Sequence, residues 1–150
     1  MRKLYIGCLL THAPKEFVDM VEKLKGVLRK GYEVFDFVGL MDGTPTLVYK
    51  QDIQKCVALC DIFVAICDYP SLGLGYEMAT ALEKYSKPTL ALAMENAQSS
   101  RLVFAIDHPM YTFKYYKTLE DIISLIKEKE LKHFKPVLSP ETCETDVCAV

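Results

Sequence analysis

Asp61-Ile62-Phe63-Val64-Ala65-Ile66-Cys67, followed by Asp68-Tyr69-Pro70-Ser71-Leu72-Gly73-Leu74-Gly75-Tyr76-Glu77, is the stretch that decides the fold. The first seven residues form a nearly unbroken apolar run, as in a strand of a parallel sheet covered on both faces. The turn residues after it lead into a helix expected over residues 75–85. A buried strand feeding straight into a helix is half of a βαβ unit, and the rest of the chain repeats the pattern.

Upstream, residues 3–9 read as a strand ending at Thr11-His12-Ala13-Pro14. Phe17, Met20, Val21, Leu24, Val27 and Leu28 then fall at helical spacing, with Pro14 suited to the first turn and Gly31 to the C-terminal cap. Residues 32–37 predict a second strand, 39–45 a turn-rich loop, and 46–59 a helix burying Ile53, Cys56, Val57 and Cys60, with Asp52 on the margin of that stripe. Downstream come strands at 88–93 and 110–113, a short helix near 102–106, and a last helix marked by Leu119, Ile122, Ile123 and Ile126. The alternation predicts a doubly wound, mainly parallel five-stranded α/β sheet with helices on both faces, Rossmann- or flavodoxin-like. Such sheets bind ligands at the carboxyl ends of their strands, so the loops after Leu9, Phe37 and Cys67 are where a site is expected.

A chain of 150 residues, 51% hydrophobic, fits one domain, placed at residues 1–135 with a flexible tail at 136–150. With 18 Lys and Arg against 20 Asp and Glu, the net charge of -2 provides no basic field for a polyanion. Nucleic acid and anionic membrane are therefore not expected as partners. The N-terminal apolar run is too short for a signal peptide or a spanning helix, which predicts a cytoplasmic protein. Cys8, Cys56, Cys60 and Cys67 fall in or beside predicted elements and read as reduced core residues. Cys56 and Cys60 share a helix face, but no CxxC or histidine cluster accompanies them, and no metal is expected. Cys143 and Cys148 lie in the polar tail.

Gly73 and Gly75 flank one residue at a strand-to-helix junction, where a backbone without Cβ atoms can turn tightly and approach a ligand. Free N–H groups and the helix dipole there favour phosphate or sugar oxygens, and the same dipole favours an ionised Glu77. An ionised carboxylate beside a sugar can act as nucleophile or support an oxocarbenium-like centre. By itself the pattern is equally served by a carboxylate that only complements the dipole. Asp68 faces the same cleft, to meet a base edge or ribose hydroxyl or to form the turn. His12 sits in the exit loop of the first strand, as a phosphate contact, an acid near neutrality, or an exposed loop residue.

Cys60-Asp61-Ile62-Phe63-Val64-Ala65, the octapeptide Pro70-Ser71-Leu72-Gly73-Leu74-Gly75-Tyr76-Glu77, Ala79, Ala81 and Lys87-Pro88 together resemble the nucleoside 2-deoxyribosyltransferase family. The likeness is closest to its 2'-deoxynucleoside 5'-monophosphate N-glycosidase branch and extends over residues 3–113. It implies that Glu77 attacks the anomeric carbon to form a glycosyl-enzyme, that the Tyr5 hydroxyl orients this carboxylate, and that Asp52 holds the sugar or assists proton transfer to the leaving base. Asp52 precedes Asp61 by nine residues where the resemblance leads one to expect eight. Ser71 keeps its place as a substrate contact, with Gly73 and Gly75. The family's Gly-Ser-Ile-Arg-Gly loop is replaced by Cys8-Leu9-Leu10-Thr11-His12, which leaves Leu9, Thr11 and His12 facing the substrate without the phosphate-binding Ser and Arg. A later family Ser falls at Phe104, with Ser99, Ser100 and Arg101 nearby. The resemblance further implies a small-molecule nucleoside or nucleotide substrate, no cofactor, and a homo-oligomer, dimer or larger. A non-catalytic nucleotide-binding or sensing module on the same fold, and an interaction domain using the tail, are the alternatives the sequence leaves open.

Overall fold

Strands Arg2–Cys8 (β1), Tyr32–Phe35 (β2), Ile62–Ile66 (β3), Thr89–Ala93 (β4) and Tyr111–Tyr115 (β5) form one five-stranded, wholly parallel sheet in the order β2-β1-β3-β4-β5 in the computed structural model, which describes residues 1–37 and 43–134. The order reverses between β1 and β3, so the topological switch point lies at the carboxyl ends of those two strands. The expected tail at 136–150, with Cys143 and Cys148, and residues 39–42 of the expected loop lie outside the described residues.

Alternation along each strand sorts side chains to two faces. Leu4, Ile6, Ile62, Val64, Ile66, Leu90 and Leu92 pack under helices Lys15–Leu28 (α1) and Leu119–His133 (α4). Tyr5, Phe63, Ala65, Cys67, Ala91 and Ala93 pack under the helices of the other face. These are Pro45–Val48 (α2), which continues as a π-helix over Tyr49–Val57, and Leu72–Ala79 (α3), which continues as a π-helical stretch over Thr80–Lys84. The four described cysteines are free thiols, and Cys56, Cys60 and Cys67 are buried on this face.

Cap chemistry sets several boundaries differently from the sequence expectation. Pro14 is the N-cap of α1 rather than its first helical residue, and the helix closes at Arg29, two residues before Gly31. The Ser71 hydroxyl accepts the Leu74 N–H at 3.3 Å, so α3 begins at Leu72 and not near Gly75. Gly73 and Gly75 consequently lie inside the helix, and neither has a positive φ. The short helix after β4 is a single 3₁₀ turn at Arg101–Phe104. No described helix is long and apolar enough to cross a membrane.

Candidate active site

The floor of the site is a row of small residues. Gly7 on β1 pairs in register with Ala65 on β3, and Ala65 with Ala91 on β4, so the sheet presents almost no side-chain bulk beneath α3. This shallow row lets the helix settle close enough for Glu77 to lie on the strand backbone. A Cβ at Gly7 would stand 2.7 Å from Glu77 Oε2 and 2.9 Å from both Leu74 and Phe63 side-chain carbons, closer than a carbon atom can approach. Gly7 is thus a site residue that the sequence reading missed, although a glycine inside a strand is a recognised sign of close approach.

Tyr5 lies two residues earlier on the same face. Its ring is buried and stacks on Phe63 with centroids 5.5 Å apart, and its hydroxyl donates to Glu77 Oε1 at 3.0 Å. Glu77 is held from two sides, by the phenol on one oxygen and by the glycine floor under the other. Burial is the main influence on its acidity and pushes its pKa up from 4.5 to about 7; the Tyr5 hydrogen bond opposes the shift and the Asp52 charge adds to it. The expectation that the helix N-terminus keeps Glu77 ionised is therefore corrected. With α3 starting at Leu72, Glu77 sits in the second turn, beyond the strongest part of the dipole, and desolvation dominates. Burial, with the charges of Glu77 and Asp52, also drives the Tyr5 phenol far upward, so it remains a proton donor.

Asp52 is half-buried in the π-helical segment and influences both Tyr5 and Glu77 electrostatically. A π-helix closes i→i+5 rings, one residue more than an α-helix, and frequently occurs at functional sites. One residue is also the difference between the nine-residue Asp52–Asp61 separation and the eight expected from the family resemblance. The Tyr5 phenol and the Glu77 carboxylate thus come from separate elements and meet under the electrostatic influence of Asp52, which comes from a third.

Other expected site residues have different surroundings. Asp68 is buried and accepts hydrogen bonds from the Met94 N–H at 2.8 Å and from the Tyr116 hydroxyl; it ties the end of β3 to the ends of β4 and β5 rather than forming a local turn. It borders a cavity of about 560 Å³ with Glu16, Tyr69, Met94, Tyr116 and Thr118, on the α1/α4 side of the carboxyl edge. Ser71 uses its hydroxyl as the α3 cap and, with Gly75, Leu72 and Ser100, lines an apolar groove of about 700 Å³. Nothing lies within 4 Å of where a Gly75 Cβ would stand, and a Gly73 Cβ would meet only Ser71 Oγ, at 3.8 Å. Those glycines leave the backbone open rather than tightly turned. Leu9 is half-buried, while Thr11 and His12 are exposed in the loop after β1, His12 with a left-handed φ of 65°. The Ser99 hydroxyl is engaged with the Cys67 carbonyl at 2.6 Å.

The raised pKa of Glu77 also makes stability depend on pH. A carboxyl that holds its proton more tightly when folded stabilises the fold most fully below the unfolded pKa, and that contribution is lost as pH rises from about 4.5 to about 7. The loss amounts to roughly 3 kcal/mol. Urea unfolding at pH 5 and pH 8 should show the wild type losing that much stability relative to Glu77→Gln, which carries no titrating group there. Parallel pH profiles for the two proteins would refute the desolvated-carboxyl account.

No protein-family model matches the chain. A Thermofilum pendens protein named as a 2'-deoxynucleoside 5'-phosphate N-hydrolase 1 is 30% identical over 105 residues, 65% of this chain and 72% of the relative. A Syntrophotalea carbinolica protein of the same name is 31% identical over 96 residues, 64% of this chain and 65% of the relative. Among solved structures, the Clostridium botulinum CMP N-glycosidase BcmB superposes with a TM-score of 0.63 at 19% identity, covering 84% of this chain and 99% of that one, a likeness of fold. With the fold and the sequence relatives in agreement, the chain belongs to the 2'-deoxynucleoside 5'-phosphate N-hydrolase family.

Proposed function

We propose that this chain cleaves the N-glycosidic bond of a nucleoside or nucleoside 5'-monophosphate through a covalent glycosyl-Glu77 intermediate. The observation that carries the proposal is the Tyr5–Glu77 hydrogen bond over the Gly7 floor, with Asp52 in electrostatic reach. In the first step a Glu77 carboxylate oxygen forms a bond to the anomeric carbon as the carbon–nitrogen bond breaks, and the base leaves with a proton. In the second, water or another base takes the sugar and frees the carboxylate, so configuration is retained overall. Asp52 binds the sugar or assists the proton transfer. Ser71, Gly73 and Gly75 border the substrate along α3, Leu9, Thr11 and His12 border it along the β1 exit loop, and Asp68 fixes the strand ends behind it.

Incubating the purified protein with ribo- and deoxyribonucleosides, with and without a 5'-phosphate and an acceptor base, tests this reading. Base release is the expected result, and its absence across the whole panel would overturn the proposal. Release without an acceptor marks a hydrolase, while release only with one marks a transferase. The first loop lacks a basic residue before His12, so phosphorylated substrates are expected to gain less over unphosphorylated ones than an arginine-bearing loop would provide.

Tyr5→Phe should reduce turnover by about 10- to 100-fold, below the roughly 10²- to 10³-fold for losing a donor aimed directly at transition-state charge, because the phenol acts through Glu77. Because the Tyr5 bond lowers the Glu77 pKa, its removal should move the acid limb of the pH–rate profile to higher pH. A profile that stays in place would exclude Tyr5 from tuning the carboxylate.

A further inference from the structure

Two lysines are buried among the described residues, and their surroundings differ. Lys25 is neutralised by Glu22 at 3.0 Å and Asp36 at 3.5 Å, with the Phe37 ring 4.1 Å from its ammonium. Lys129 on α4 is just as inaccessible, 3% exposed, yet its Nζ donates only to the Met110 carbonyl and the Thr112 hydroxyl, each at 2.8 Å. An ammonium has three donors. No carboxylate forms an ion pair with Lys129 among the described residues, and a buried cation is costly unless paired.

The space around this ammonium is basic as well. Lys114 and Lys132 join Lys129 in lining a cavity of about 120 Å³ between β5 and α4, whose other walls are Leu90, Thr112, Leu125 and the single acid Glu128. One turn beyond Lys129, His133 Nε2 is buried with no hydrogen-bond partner among the described residues. Burial and the Lys129 and Lys132 charges lower the His133 pKa, while burial and Lys132 bring that of Lys129 down to about 8. Positive charge therefore exceeds negative here. The volume is well below the roughly 300–1,000 Å³ of pockets that enclose drug-sized organic ligands, which selects a small ion.

We propose that this lysine-lined cavity binds a tetrahedral oxyanion, a phosphate group, with Lys129 as its buried anchor and Lys114 and Lys132 at its mouth. It lies at the amino ends of β4 and β5 on the α1/α4 face, the opposite edge and opposite face of the sheet from Glu77. The site is therefore separate from the substrate cleft and does not depend on the chemistry proposed there. The anion would supply the missing counter-charge and tie edge strand β5 to α4.

Thermal unfolding of the full chain, near neutral pH, in millimolar inorganic phosphate against chloride at equal ionic strength tests the site. A rise in Tm of about 5 °C is expected for the wild type, and none for Lys114→Gln/Lys132→Gln, whose changes are both at exposed positions. Lys129→Met should also abolish the response. Repeating the titration with ribose 5-phosphate on the wild type and the double variant separates the sources, because binding in the Glu77 cleft would persist in the variant: a rise that the variant loses shows that the site takes an esterified phosphate, and a variant-sensitive rise with inorganic phosphate alone shows that it takes the free ion. No rise with either compound, or an undiminished rise in the double variant, would overturn the proposal.

Discussion

Glu77→Gln is expected to lose base-releasing activity by at least about 10³-fold, equivalent to about 4 kcal/mol of transition-state stabilisation, while remaining folded. The amide keeps an oxygen that can accept the Tyr5 hydroxyl and matches the carboxylate in size, so the contacts over Gly7 survive. What it cannot do is attack an anomeric carbon. Desolvation makes the wild-type carboxylate reactive as well as harder to ionise: with a pKa of about 7, only part of the protein carries the charged form at neutrality. Activity should accordingly rise with pH through that region. Two measurements separate a nucleophile from a residue that only supports charge. Quenched wild-type enzyme should carry a glycosyl adduct on the peptide containing Glu77, and small anions such as azide or formate should restore turnover to Glu77→Ala by attacking in its place. A Gln variant within about tenfold of wild type would remove Glu77 from the chemistry.

Gly7→Ala is the second large effect and the more stringent test of the structure, because it changes one methyl group in a residue with no functional side chain. The new carbon would meet Glu77 Oε2 at 2.7 Å and the Leu74 and Phe63 side chains at 2.9 Å. Leu74 and Phe63 are both buried, so two of the three neighbours have little room to yield. The carboxylate and the start of α3 must shift instead. Overpacking of this kind costs about 1–3 kcal/mol of stability, and a displacement of the reacting group near 1 Å costs about 10²-fold in rate. The loss should fall on both kcat and KM, since the shifted start of α3 carries Ser71, Gly73 and Gly75 as well as leading to Glu77. An alanine variant with wild-type Tm and activity would show that α3 does not sit in contact distance of Gly7.

The alternation of apolar runs was legible because each strand is covered on both faces and each helix on one, so burial writes its period directly into the residue order. That was enough for the five parallel strands, their doubly wound class and the location of Glu77 after β3. Boundaries were less legible where a single hydrogen bond sets them. The Ser71 cap moves the start of α3 three residues ahead of the expected Gly75, and with it the relation of Glu77 to the helix dipole. The capping potential of a serine is visible in sequence, but whether its hydroxyl turns back to the helix is decided by the backbone around it.

The sequence by itself determined the alternation of elements, the glycine-bearing junction and the carboxylate placed in it, since each depends on residues close along the chain. Only the tertiary structure decided what surrounds that carboxylate. Tyr5 and Glu77 are separated by 72 positions, and it is the pairing of β1 with β3 that brings them to 3.0 Å. Gly7 comes under Glu77 only when α3 settles on the Gly7–Ala65–Ala91 row, and the charge of Asp52 reaches Tyr5 and Glu77 only across the fold. Acidity follows the same division. A carboxyl group titrates near 4.5 because of its own chemistry, and near 7 here because folding has removed the water around it.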